Sequence, residues 1–226
     1  CSSDLFITHA CGTGDIPAVI LTLARTGSPT SGARGLSFFI VETKDIEVIG
    51  IERKMGLKAS PTCEIAFDQS HAELIGEEGK GLTKFAMGMM NRARLGVASL
   101  SVGLAAAAYA EAKKYAGERE QFGRKIGTIP AVRKITDRME REVAVMRCLH
   151  IEAAYAIDMY SWREERMSKQ GLSDREIRRD AVVSYWDKIA SLLTPLAKYY
   201  CSETANRIAY DAVQIHGGSG FVEDFD

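Results

Sequence analysis

A chain of 226 residues, 46% of them hydrophobic and 26% charged, can bury one large core or two smaller ones. Its formal net charge of -1 provides no overall basic field, which argues against nucleic acid or an anionic membrane surface as the main partner. The five cysteines are far apart and include no C-x-x-C pair, so they indicate neither a disulfide framework nor a zinc site and favour a reducing compartment.

The sequence predicts no transmembrane span, because no apolar run approaches the roughly 18 residues that crossing a bilayer requires. The first residues also lack the charged and then apolar pattern of a signal peptide. Since the chain begins at Cys1 rather than at methionine, within a strand-like run, we expect it to be a fragment of a longer protein.

The N-terminal part of the chain consists of short β-rich runs separated by turn-forming residues such as Gly12-Thr13-Gly14. The runs cover residues 5–8, 18–23, 36–41, 47–51 and 63–67. This spacing is typical of an antiparallel sheet or open barrel. We therefore predict an incomplete middle β domain over residues 1–75.

From about Gly79 the pattern changes to alanine-rich helix with a period of 3.6 residues. The first two predicted helices run from about 82 to 117 and from about 130 to beyond 159. A third begins after a capping box formed by Ser173 and Glu176, and the last runs from about 195 to an αL stop at 217–218. The charged stretch Ser161–Arg179 is predicted to be a solvated connection. Residues 76–226 should thus form an incomplete all-α four-helix bundle, which makes the fold class α+β.

Two short motifs in the β half contain candidate binding residues. Phe6-Ile7-Thr8-His9 places an aromatic ring and a hydroxyl on one strand, although any half-buried strand can show this pattern. The segment 54–64 has the form K-x-G-x-x-x-S-x-T with Ser60 in it, and an ordinary β-turn is the alternative.

Three motifs follow in the helical half. Asn91 and Arg94 lie in a small, apolar stretch where an unpaired guanidinium is costly to bury, so Arg94 needs an anionic partner or an acidic residue within the bundle. The segment 119–126 has the form R-x-Q-F-G-x-x-I, which combines a cationic fork with a glycine that permits close backbone approach. The segment 214–221 reads Q-x-x-G-G-x-G-F, which would alone be a helix C-cap.

In this order, the motifs closely resemble those of the acyl-CoA dehydrogenase family over essentially the whole chain. The resemblance implies FAD as cofactor, held by Phe6, Thr8, Arg119, Gln121, Phe122, Gln214, Gly217 and Gly218. It also implies that Ser60, Asn91 and Arg94 bind the CoA portion of an acyl-CoA substrate. Several FAD contacts should cross the interface of a homodimer or a dimer of dimers. Pro130 departs from the family pattern, since a glutamine that helps to hold FAD often stands there.

The implied reaction is α,β-dehydrogenation of an acyl-CoA, with an electron-transfer flavoprotein as acceptor. It needs a carboxylate base with a raised pKa, which most of the family carry about thirty residues beyond the G-G-x-G turn, so we expect it after Asp226. Ala93 stands where a minority carry that glutamate, so we name no catalytic residue and no metal ligand.

The connection Ser161–Arg179 and the segment Leu192–Cys201 resemble the longer-chain branch that includes 3-methylthiopropanoyl-CoA dehydrogenase-like proteins. Two alternatives remain open: a related acyl-CoA oxidase, flavin monooxygenase or nitroalkane oxidase, and a non-catalytic helical assembly module. We expect a bacterial cytoplasmic location rather than the mitochondrial matrix.

Overall fold

A computed structural model describes residues 5–8 and 18–222, with side chains described from residue 18 onward except that of Lys84. The chain divides into two compact units, Cys1–Met89 and Met90–Asp226. The described part of the first unit is mainly β and that of the second is helical, so the predicted α+β class is confirmed. The predicted boundary at residue 75 differs from this division and lies at the end of the strand Ala72–Ile75.

The first unit contains two antiparallel sheets of three strands each. Strand β1 (Leu5–Thr8) pairs with β5 (Thr62–Ala66), which also pairs with β4 (Glu47–Ile51). Strand β3 (Leu36–Glu42) lies between β2 (Val19–Arg25) and β6 (Ala72–Ile75). The five predicted strands are therefore present, and β6 is an addition that the apolar pattern did not show.

A glycine-rich turn leads out of β6 and packs tightly on the backbone of the first unit. Gly79 has φ of +75°, and its amide donates a 2.8 Å hydrogen bond to the Ser37 hydroxyl. A Cβ at Gly81 would lie 2.5 Å from the carbonyl carbon of Ser37, closer than non-bonded atoms can approach. A π-helical turn, Gly81–Ala86, then continues directly into the first long helix.

The second unit is built from helices α1 (Met87–Glu118), α2 (Pro130–Lys169), α3 (Asp174–Arg179) and α4 (Ala181–His216). Its core combines small and large side chains, which lets the helices approach closely: Ala98, Ala105, Ala112, Ala116, Met139, Val143, Met146, Ala197, Cys201, Ala205 and Ile208. Two ion pairs join α2 to α4 along this core: Arg138 with Asp211, and Arg207 with Glu142 at 2.8 Å. The helical bundle is thus confirmed.

The predicted start of a separate last helix at Pro195 is wrong, because α4 runs without interruption through that residue. Proline removes one backbone hydrogen-bond donor from the helix, but the side chains next to it stay packed in the core. Thr194 and Ala197 are fully buried on either side of it, and the Thr194 hydroxyl donates to the Ala190 carbonyl at 2.6 Å. Tertiary packing therefore overrides the local signal for a helix start.

The charged stretch Ser161–Arg179 is not the solvated connection that its composition predicts. Helix α2 continues through it to Lys169, and Met167 packs with Ile177 and Val183 in a small apolar cluster. The chain reverses at Gly171, which has φ of +81°. The predicted capping box is present, with the Glu176 carboxylate accepting from the Ser173 amide at 2.8 Å.

Asp180 caps the start of α4 and also pairs with α2. Its carboxylate accepts hydrogen bonds from the amides of Val182 and Val183, at 3.1 and 3.0 Å, and from Arg163 at 2.8 Å. The bond from Arg163, with those from the helix amides, lowers the pKa of Asp180 to about 2. The charged form of Asp180 is therefore the one that stabilises this junction.

We expect this contribution to be present at neutral pH and to be lost as the pH falls from about 4 through about 2, because the folded pKa lies below the unfolded value of about 3.9. The variant Asp180→Asn keeps a capping oxygen but loses the charge, so its melting temperature should be a few degrees lower near neutral pH, with the difference shrinking over that window. Thermal unfolding by circular dichroism across pH measures this, with the exposed Asp187→Asn as control. A difference that stays constant down to about pH 2 would contradict the assignment.

The segment Gly81–Glu118 is long and apolar enough, by length and composition alone, to cross a membrane. Core helices of water-soluble proteins can meet the same criteria. Here Ala98, Ala105 and Ala112 on this helix are fully buried in the core of the second unit. The helix Met87–Glu118 within this segment therefore packs as part of the bundle.

Candidate functional site

A two-residue hairpin follows α1 and presents the R-x-Q-F-G motif. Strands β7 (Glu120–Gln121) and β8 (Arg124–Lys125) pair antiparallel, and both loop residues have positive φ, 56° at Phe122 and 71° at Gly123. This combination is that of a type I′ turn. Phe122 is nevertheless 88% exposed, so an aromatic side chain occupies an unfavourable backbone region without any packing in return. Such a residue indicates a binding role.

The second glycine motif forms the exit of α4. Gly217 has φ of 58° and ψ of -129°, so it is not in the αL conformation that the sequence predicts. Glycine alone adopts this region readily, since it has no Cβ. The chain then continues as a 3-10 turn over Gly217–Gly220. The Gln214 side chain is exposed one turn before this exit.

Tyr115 joins the two motifs at one end of the second unit. Its ring lies 4.4 Å from the His216 ring, and its hydroxyl is 3.5 Å from that of Ser219. The Arg119 amide donates to the Tyr115 carbonyl at 2.8 Å, so the base of the hairpin is only one turn beyond this contact. His216 itself is fixed by a 2.8 Å contact between Nδ1 and the Ala212 carbonyl. The contact therefore places the end of α1, which leads into the hairpin, against the glycine turn.

A cavity of about 530 Å³ lies between α1 and α4 beside this contact, with Glu111, Lys114 and Val213 among its lining residues. Tyr115 and His216 form part of the same wall. Neither residue was predicted from the sequence to belong to a site. Their positions, four residues before Arg119 and directly before Gly217, were the available signal.

The side chains of Arg119, Gln121 and Gln214 are exposed. Within the part of the chain that the structure describes, none of the three has a hydrogen bond or an ion pair. Together they offer one guanidinium and two amides, and the nearby glycines let a ligand approach the backbone. Such a set of donors suits a diphosphate. These residues therefore fit the FAD role that the sequence implies.

Arg94 and Asn91 form a pair on α1, with the Arg94 Nη1 donating to the Asn91 amide oxygen at 3.1 Å. Both residues are half-buried. Among the described residues Arg94 has no acidic partner, so the alternative of an ion pair within the bundle is not what the structure shows. The amide orients the guanidinium but leaves its charge uncompensated.

The remaining predicted residues belong to the first unit. The backbone of Thr8 lies opposite Thr62, and that of Phe6 opposite Glu64, while the side chains of Phe6 and Thr8 lie outside the described residues. Ser60 immediately precedes this strand pair in a turn in which its amide donates to the Leu57 carbonyl at 3.0 Å. The Lys54 ammonium donates to the Ser60 carbonyl. Strand β1 and the Ser60 turn therefore lie at one end of the same sheet.

Comparison with known proteins identifies the family. The family model described as acyl-CoA dehydrogenase, C-terminal domain, matches residues 79–168 and 181–226 of this chain. The chain belongs to the acyl-CoA dehydrogenase family. Enzymes of this family are in general flavoproteins with FAD, and the match includes the Arg94, Arg119 and Gln214 motifs.

Curated relatives and a solved structure agree with this assignment. Cyclohex-1-ene-1-carbonyl-CoA dehydrogenase of Syntrophus aciditrophicus is 32% identical over 92% of this chain and 45% of its own length. 3-methylmercaptopropionyl-CoA dehydrogenase of Ruegeria pomeroyi is 34% identical over 91% of this chain and 36% of its own length. The structure of butyryl-CoA dehydrogenase from Megasphaera elsdenii is 27% identical, with a TM-score of 0.73 over 98% of this chain and 50% of that one. The chain thus spans half the length of these proteins or less.

Proposed function

We propose that the protein containing this chain binds FAD and catalyses α,β-dehydrogenation of an acyl-CoA thioester to the 2-enoyl-CoA. The proposal rests on one observation above all: Tyr115 packs the end of α1 against the exit of α4, and the exposed donors of Arg119 and Gln214 lie within about one turn of that contact. Membership of the acyl-CoA dehydrogenase family supports the same assignment. Electrons would pass to an electron-transfer flavoprotein.

In this proposal, Arg119 and Gln214 bind the diphosphate and adenosine part of FAD, while the bare backbone of Gly217 and Gly218 permits close approach. Phe122 offers an exposed ring at the tip of the hairpin for the same cofactor. Bound FAD supplies the acceptor for the hydride that leaves the β carbon of the substrate. By family resemblance these contacts would serve the FAD of a neighbouring subunit.

The substrate part of the proposal concerns Arg94, Asn91 and Ser60. A half-buried guanidinium without an acidic partner in the described chain attracts an anion, and the CoA portion of the substrate carries phosphates. Asn91 holds that guanidinium in place through its amide oxygen. We assign no catalytic base, since Ala93 has no group that can accept a proton.

The cysteines fit a reducing compartment such as the bacterial cytoplasm. Among the described cysteines, Cys201 is a buried thiol and Cys148 is an exposed one. Burial raises the pKa of Cys201, which keeps it protonated and unreactive. We therefore infer a cytoplasmic location.

The test is to mix the purified protein, without oxygen, with acyl-CoA thioesters of short, medium and long chain. We expect a yellow protein whose visible flavin absorption is bleached by at least one of them, with 2-enoyl-CoA as product. Electron-transfer flavoprotein should then restore the absorption. Rapid peroxide formation in air would instead indicate an oxidase, and a colourless protein that takes up no FAD would indicate a non-catalytic assembly module.

A further inference from the structure

A short stretch after α2 lies outside the residues that the family model matches. The model matches residues 79–168 and 181–226, and the residues between these ranges contain all of α3, Asp174–Arg179. We call residues 169–180 the unmatched segment. The role of this segment must therefore be inferred from its own residues.

The unmatched segment has a fixed structure, although it is rich in charged residues. Ile177 is 4% exposed and packs with Met167 and Val183 in an apolar cluster. The capping box fixes the first turn of α3, and Asp180 fixes the end of the segment through the amides of α4 and through Arg163. A partner that binds this segment therefore needs to order little of it.

Three arginines occupy the side of α3 opposite Ile177. Arg178 and Arg179 follow Arg175 by three and four residues, which places all three on one side of a helix. Ile177 follows Arg175 by two residues, which is about 200° around the helix. All three arginines are exposed. We call them the arginine face.

The acidic residues of the segment leave the arginine face with an excess of positive charge. The Glu176 carboxylate accepts from the capping serine at 2.8 and 2.6 Å, and that of Asp180 is held at the start of α4. Asp174 then provides one negative charge beside the three positive ones. Within the part of the chain that the structure describes, neither Arg175 nor Arg179 forms a hydrogen bond or an ion pair.

We propose that the arginine face binds an acidic segment of a partner protein. A guanidinium binds a carboxylate through two parallel hydrogen bonds, and arginine is well suited to ion pairs at interfaces. Side chains three and four residues apart on a helix are about 5–6 Å apart at Cβ. Alternate side chains of an extended chain are about 6–7 Å apart, so acidic residues at alternate positions would match the face. The proposal is independent of the flavin site.

The distribution of charge favours a short protein segment over nucleic acid or a membrane. The whole chain has a formal net charge of -1, so the positive potential is local to the arginine face. Nucleic acids and anionic membranes present extended negative fields, which proteins meet with larger basic surfaces. Three guanidinium groups on one short helix suit a short row of carboxylates.

The first test measures binding of a fluorescein-labelled hexaglutamate peptide by fluorescence anisotropy at low salt. The intact protein should bind the peptide, and the triple variant Arg175→Gln, Arg178→Gln, Arg179→Gln should bind it about tenfold more weakly or worse. A control variant loses three other exposed cations of α2 and α4 and should change the affinity by less than about threefold. FAD content and helix content should be the same in all three proteins. The control changes are Arg141→Gln, Arg147→Gln and Lys188→Gln.

A charge-reversed variant provides a second test. With Arg175→Glu, Arg178→Glu and Arg179→Glu together, the protein should lose hexaglutamate binding and gain binding of hexalysine, because the sign of the interaction is reversed. A folded charge-reversed protein that still bound hexaglutamate would contradict the proposal.

The proposal would be overturned if the intact protein did not bind hexaglutamate, or if the control variant lost as much affinity as the variant of the arginine face. Tighter binding of duplex DNA or of phosphatidylserine vesicles, lost in the variant of the arginine face, would assign the face to another class of partner and equally overturn it.

Discussion

Replacing Arg119 with glutamine is expected to weaken FAD binding about tenfold to hundredfold while leaving the fold intact. The guanidinium is exposed and has no partner in the described part of the chain, so its removal leaves no buried group unpaired. A charge-assisted hydrogen bond to a diphosphate is worth about 1.5–3 kcal/mol, which corresponds to that loss of affinity. Titration of the apoprotein with FAD, followed by flavin fluorescence, measures the dissociation constant.

The matched control is Arg124→Gln, whose side chain is also exposed and lies on β8 of the hairpin that follows Arg119. We expect this change to alter the dissociation constant by less than about threefold, since a general loss of positive charge is screened by salt. Equal losses in the two variants would mean that the hairpin acts only as a basic patch. An Arg119→Gln protein with unchanged affinity would contradict the proposed FAD site.

Much of the first unit could be predicted from the sequence, because its strands bury alternate side chains. Cys63 and Ile65 on β5 are almost fully buried while Glu64 between them is not, and this alternation is visible in the sequence. Strand β6 was missed because Ala72–Ile75 contains no buried residue, so its sequence shows no such alternation. It pairs with β3 through its backbone. Backbone pairing leaves no apolar pattern to read.

The helical unit could be predicted less precisely, because local signals there compete with packing. Pro195 indicated a helix start, yet Thr194 and Ala197 are buried on either side and α4 continues through it. Gly171, which carries a similar local signal, does end a helix because it adopts φ of +81°. A proline or glycine in sequence therefore indicates a possible break, and tertiary contacts decide whether the break occurs.

The candidate site was predicted as separate motifs, and the structure adds the residue that joins two of them. Tyr115 appears in the sequence as one aromatic residue of an alanine-rich helix, and its ring contact with His216 spans about a hundred residues of chain. No local pattern in the sequence pairs positions so far apart. The residue types of a site can be read locally, whereas its assembly depends on the fold.

Replacing Gly81 with alanine is expected to destabilise the first unit by about 1–3 kcal/mol, which is typical of an enforced overlap in a packed structure. The added Cβ would lie 2.5 Å from the backbone carbonyl carbon of Ser37 and 2.6 Å from the amide nitrogen of Phe38. Backbone atoms of a central strand cannot move aside as the end of a flexible side chain can. The turn that starts the first long helix must therefore shift instead.

Gly103→Ala provides the opposite expectation with the same chemical change. A Cβ at Gly103 meets nothing within 4 Å, and the residue lies inside α1, where alanine is favoured over glycine by about 0.5–1 kcal/mol. Urea unfolding followed by circular dichroism should thus give changes of opposite sign for the two variants. If Gly81→Ala were as stable as the wild-type protein, the close approach of this turn to β3 would be wrong.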